Sequence, residues 1–84
     1  EGRELVPIIR NLRDSAERHR RHEFEKAEKA LAHGDDPRMV IEALSRALTN
    51  KLLHAPTHAL NHANSEERAQ CAHYISQLYG LHHE

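Results

Sequence analysis

"LTNKLLHAPTHALNHA", Leu48 to Ala63, is the stretch that decides the fold. It opens apolar, carries His54, His58 and His62 at four-residue intervals, and holds Pro56 among them. A proline inside a helix clashes with the carbonyl four residues back, here that of Leu52, and has no N–H to give it. A fresh helix beginning at Pro56 would need a capping side chain before it, and Ala55 is a poor cap. The stretch therefore predicts one helix, kinked at Pro56 and reaching about residue 63. Its start is marked by Asp35-Asp36-Pro37, where an Asp can cap and Pro37 fits the first helical position. Val40, Ile41, Leu44, Ala47, Leu48 and Leu52 form its apolar stripe.

Three imidazoles one turn apart invite a zinc site. Against it, a kink at Pro56 separates His54 from His58 and His62. No Asp or Glu lies between Lys51 and Ala63 to complete or orient the set. The expectation is a polar helix face and no metal.

The segments on either side are helical too. From about Arg3 to His33, Leu5, Ile8, Ile9, Leu12 and Ala16 open a stripe that continues through His19, Glu23, Ala27 and Ala30. Pro7 is tolerable there only in the first turn. Gly34 supplies the stop signal. Such a helix of ~30 residues is ~45 Å long, more than the rest of this chain can cover. The last helix spans about 65–79. Asn64 with Glu67 resembles a capping box, and Gly80 followed by Leu81 reads as a left-handed stop. The expectation is an all-α, three-helix domain over residues 1–84, with helices at about 3–33, 37–63 and 65–79.

Composition narrows the function. The 84 residues carry a net charge of -1, with one Phe, two Tyr and no Trp. Such a chain buries a thin core, and its charge balance excludes a general polyanion-binding surface. Only a local patch can serve, and Arg18, Arg20 and Arg21 are the candidates for phosphate contact. Glu17, Glu23 and Glu25 flank them, and a pair such as Glu17–Arg21 suits a same-face salt bridge, so a solvated face is the default. Cys71, the single cysteine, excludes an internal disulfide framework. No signal peptide or membrane span is legible, so a cytoplasmic location is expected. There is no glycine-rich phosphate loop and no Ser-His-Asp arrangement, so no catalytic residue is expected. The chain opens Glu1-Gly2 without Met, directly into helical pattern, as an excised piece of a longer protein would.

The same central stretch carries a family resemblance. "LTNKLLHAPT", Leu48 to Thr57, resembles a signature near the carboxyl end of glutamyl-tRNA reductases. "VPIIRNLR" (Val6 to Arg13), "HEFEKAEKAL" (His22 to Leu31) and "LYGL" (Leu78 to Leu81) are similar to other parts of that family's end, in the same order. The resemblance implies an NADPH-dependent parent enzyme that reduces glutamyl-tRNA to glutamate-1-semialdehyde, opening tetrapyrrole synthesis. That family's chains combine a catalytic domain with a cysteine nucleophile, a Rossmann NADPH domain and a helical dimerisation domain. Only the last is matched. Cys71 matches no catalytic residue, and no cofactor is implied for this segment itself. The resemblance implies a homodimeric helical bundle, packed through Leu44, Leu48, Leu52, Leu53 and the Lys51–Pro56 turn. The alternative is a stand-alone helical module binding RNA or protein.

Overall fold

The computed structural model describes residues 2–81. Three helices follow in order: α1 (Gly2–His33), α2 (Pro37–His62) and α3 (Ser65–Tyr79). No strand occurs among the described residues, so the chain is all-α.

Local chemistry sets the helix ends. Gly34 has φ 100°, a left-handed conformation that favours glycine because it has no Cβ. Its N–H donates to the Leu31 carbonyl, and the Asp35 N–H donates to that of Ala30, each at 3.0 Å. These two bonds close α1 in a Schellman motif. One residue on, the Asp36 carboxylate accepts from the Arg38 N–H at 3.3 Å and starts α2 ahead of Pro37. Asn64 and Glu67 form the reciprocal pair that their spacing predicts. The Glu67 N–H donates to Asn64 Oδ1 at 2.8 Å, and the Asn64 N–H to Glu67 Oε1 at 3.3 Å. Gly80 ends α3 as Gly34 ends α1, with the Leu81 N–H donating to the Ser76 carbonyl at 2.8 Å.

Two prolines lie inside helices. Pro7 stands in the second turn of α1, not in the first turn that the sequence requires of it. The missing bond is one to the Arg3 carbonyl, next to a helix end that already lacks partners. α2 is continuous through Pro56.

Contacts divide the chain into two compact units, one up to Leu52 and the other from Leu53 on. The boundary falls at the carbonyl to which Pro56 has no N–H to offer. In the first unit α1 and the start of α2 share a core of one buried apolar residue, Val40, with Ala27, Ala30, Leu44, Ala47 and Leu48 half-buried around it. In the second, Ser76 is buried, with Pro56, Leu60, Cys71, Ala72 and Ile75 half-buried. No side chain among the described residues is fully enclosed. Apolar burial is the main favourable term in folding, and both units hold little of it. No helix among the described residues is long and apolar enough to cross a membrane.

Candidate self-association surface

Among the described residues few apolar side chains are buried and many large ones are exposed. Leu5, Ile8, Ile9 and Leu12, the apolar stripe at the start of α1, are all more than half exposed, Leu12 to 71%. They recur at helical spacing and point the same way. Scattered exposed leucines are ordinary, but a contiguous ordered stripe marks a surface that something covers.

On α2 the residues expected at a dimer contact fall on both sides of the unit boundary. Leu44, Leu48, Lys51 and Leu52 belong to the first unit, Leu53 and Pro56 to the second. Leu44 and Leu48 are half-buried, while Leu52 is 68% exposed and Leu53 is also exposed. Lys51 is exposed between them. Leu44 lines a groove between α1 and α2 of about 490 Å³, floored by Ala27, Ala30, Val40, Ala43 and Ala47. Pro56 lines a separate cleft of about 440 Å³ in the second unit, with Ala59, Cys71, Ile75, Leu78 and Tyr79.

One residue of the groove was not legible as special. Glu23 is only 5% exposed, less than any apolar side chain described. Its carboxylate faces Lys26 Nζ at 3.6 Å. The available signal was its place in the α1 stripe, between His19 and Ala27. Its charge made it read as solvated.

The arginine patch is organised differently from the expected Glu17–Arg21 pair. Arg20 grips Glu17 with two bonds, Nε to Oε1 at 3.1 Å and Nη2 to Oε2 at 2.9 Å. The planar guanidinium suits this two-pronged contact. That hydrogen bond, and then the charge of Arg20, hold the Glu17 carboxyl below its ordinary value and raise Arg20. Arg18 and Arg21 line a shallow depression shared with Asp14, Glu17, His22 and Glu25. Three carboxylates in that set oppose a phosphate. Because Glu17 is depressed on folding, its contribution is present above the unfolded carboxyl value and fades as the pH falls through the folded one. The pair is fully exposed, so the effect is small and screened by salt. Glu17→Gln should remove a slight acid-side loss of helicity, seen by circular dichroism between pH 5 and pH 3, roughly the range of carboxylate titration. An unchanged acid limb in the variant would show that Glu17 contributes nothing there.

The histidines correct another expectation. Pro56 does not spread them apart. The rings of His54 and His58 stack with centroids 5.9 Å apart, and those of His58 and His62 with centroids 3.9 Å apart. All three therefore share one face. His62 Nδ1 lies 3.0 Å from the His58 carbonyl; since a carbonyl only accepts, Nδ1 carries the proton. Helical geometry across the proline keeps the four-residue register that a sharp break would have lost. Among the described residues no three His, Cys, Asp or Glu side chains are grouped to hold a metal.

Long helices, thin cores and ordered apolar stripes together define a helical association module. Comparison with known proteins gives its family. Residues 1–81 match the family described as "Glutamyl-tRNAGlu reductase, dimerisation domain". The glutamyl-tRNA reductase of Thiobacillus denitrificans is 69% identical over 84 residues, all of this chain and 20% of that protein. That of Nitrosomonas europaea is 54% identical over 81 residues, 96% of this chain and again 20% of the relative. The chain belongs to the glutamyl-tRNA reductase dimerisation domain family. It spans about a fifth of the length of these relatives. No solved structure is significantly similar.

Proposed function

We propose that the chain forms a homodimeric helical bundle that joins two copies of a glutamyl-tRNA reductase. Membership of a dimerisation-domain family supports this. The observation that carries it physically is the exposure of Leu5, Ile8, Ile9, Leu12, Leu52 and Leu53 on ordered helices. A second copy is the simplest cover, since the same patch serves both partners about a two-fold axis. Leu44, Leu48, Leu52 and Leu53 supply the apolar contact, with Lys51 and Pro56 beside them on α2, which stays helical where a turn was expected. The 84 residues then act as one dimerisation domain, and the covering copy supplies burial that neither unit has alone.

The parent enzyme uses NADPH to reduce glutamyl-tRNA to glutamate-1-semialdehyde, in the cytoplasm, at the entry to tetrapyrrole synthesis. Dinucleotide binding of the Rossmann type needs a strand, a glycine-rich turn and a helix. The described residues include no strand, so the residues present do not fit NADPH, which belongs to the rest of the parent. Glutamyl-tRNA is likewise the parent's substrate; in this segment Arg20 is paired with Glu17, and three carboxylates share the depression of Arg18 and Arg21, which opposes phosphate.

Sedimentation velocity tests the dimer. A single species of twice the chain mass should dominate in the micromolar range, and its melting temperature should rise with concentration, because association stabilises by mass action. A monomer at high micromolar concentration would refute it. RNA binding should be undetectable at low salt; binding that weakens steeply with salt would instead favour the Arg18–Arg21 patch.

A further inference from the structure

Two obstacles to a metal at the histidine ladder are visible in the sequence: a break at Pro56, and no nearby carboxylate to orient the rings. The folded chain removes both. α2 runs through Pro56, and His54, His58 and His62 stack in turn along one face. Backbone takes the place of a carboxylate at His62, whose Nδ1 lies 3.0 Å from the His58 carbonyl. A metal-binding histidine commonly gives its other N–H to such a carbonyl, which fixes the tautomer and the ring. With the proton on Nδ1, Nε2 of His62 keeps its lone pair for an ion.

Of the three rings, His58 and His62 are the pair close enough to share an ion. Nitrogens held about 2.0–2.1 Å from one ion lie within about 4 Å of each other, and these two centroids are 3.9 Å apart, with planes at 23°. His54 stacks on His58 at 5.9 Å, outside that reach. The face thus offers two imidazoles, in keeping with the lack of any three-residue metal group among the described residues. Both rings are exposed, so water completes the coordination. α2 ends at His62, and the negative end of a helix dipole favours a cation. Structural zinc takes four protein ligands, which this face does not supply. Copper(II) binds nitrogen ligands most tightly among the divalent first-row ions, and its tetragonal geometry accepts two neighbouring imidazoles with water.

We infer that His58 and His62 chelate one divalent transition-metal ion, copper(II) in preference to zinc(II), on the last turn of α2. Calorimetric titration of the whole chain with copper(II) chloride tests this, together with paramagnetic broadening of its imidazole NMR signals. One ion per chain should bind, and His58 and His62 should broaden first among the nine histidines. His58→Ala and His62→Ala should each weaken that event roughly ten-fold or more, at least what loss of an orienting partner costs a metal site. His54→Ala should leave it nearly unchanged. Zinc(II) chloride should bind more weakly than copper(II). All three positions are exposed and alanine is the best helix former, so the variants keep the helix, which circular dichroism checks. Unchanged copper affinity in the His58→Ala/His62→Ala double variant overturns the chelate. So does broadening that begins at other histidines, or a loss in His54→Ala as large as in the other two. Each of these results leaves the dimer proposed above standing, since the chelate is built within one chain.

Discussion

Leu52→Asp should weaken self-association by roughly a hundred-fold or more, the effect of losing a central apolar anchor at an interface. In the chain taken singly Leu52 is 68% exposed. A polar substitution at so exposed a site ordinarily changes stability by no more than about 0.5 kcal/mol. Aspartate also sits well in water and poorly in an apolar contact, where its charge would lose hydration without a partner. The same change is therefore nearly silent or severe depending on whether a second copy covers the position. Sedimentation equilibrium reads the association constant. Thermal melts at several concentrations read the coupling, because only a dimer has a melting temperature that rises with concentration. The parent chain should show that rise, and Leu52→Asp should melt lower and with less dependence on concentration. Equal association of variant and parent would mean that Leu52 faces solvent in the dimer, and the leucines of α2 would have to be given up as its contact.

The features legible in the sequence were those set by neighbours within a turn or two. Asn64 and Glu67 cap α3 because a three-residue spacing brings each side chain to the other's backbone. Gly34 and Gly80 end their helices because each adopts a left-handed conformation. These are local facts, and the three helices follow from them. The side-chain details were harder. Glu17 has arginines both three and four residues on, and periodicity does not rank them. Arg20 wins through a two-pronged contact. The histidine stack was missed because Pro56 was given the power to break the register, whereas α2 runs through it. Glu23 was visible in the α1 stripe, but its charge hid its burial. A charged residue at a stripe position is more informative than its type alone suggests, since it is held where water is scarce. The division of the chain at Leu52 was not legible, because it depends on which contacts form across helices.

Pro56→Ala should leave the chain no more stable than before, or less stable, and should weaken the dimer. On helix chemistry alone the opposite is expected. Proline costs about 3 kcal/mol relative to alanine in a helix interior, and alanine would restore the N–H that the Leu52 carbonyl lacks. For a chain of this size that gain corresponds to a rise of about 12–24 °C in melting temperature. Two features stand against it. The ring is half-buried and lines the cleft that α3 completes with Cys71, Ile75 and Leu78, so truncation removes packing from a unit whose core is already thin. The boundary between the two compact units also falls at the carbonyl the proline leaves unpaired. Leu52 and Leu53, both proposed to meet the partner, flank that boundary. Alanine would give the Leu52 carbonyl a partner and reset the backbone beside both leucines, and the fit would suffer even as the helix itself improved. Scanning calorimetry gives the stability, and sedimentation of the same samples gives the association. The two together separate the effects, since a gain in helix strength with a loss of fit raises monomer helicity while loosening the dimer. A variant that melts 12 °C or more above the parent, about the full helix-propensity gain, and still associates as tightly would show that the packing makes no use of Pro56.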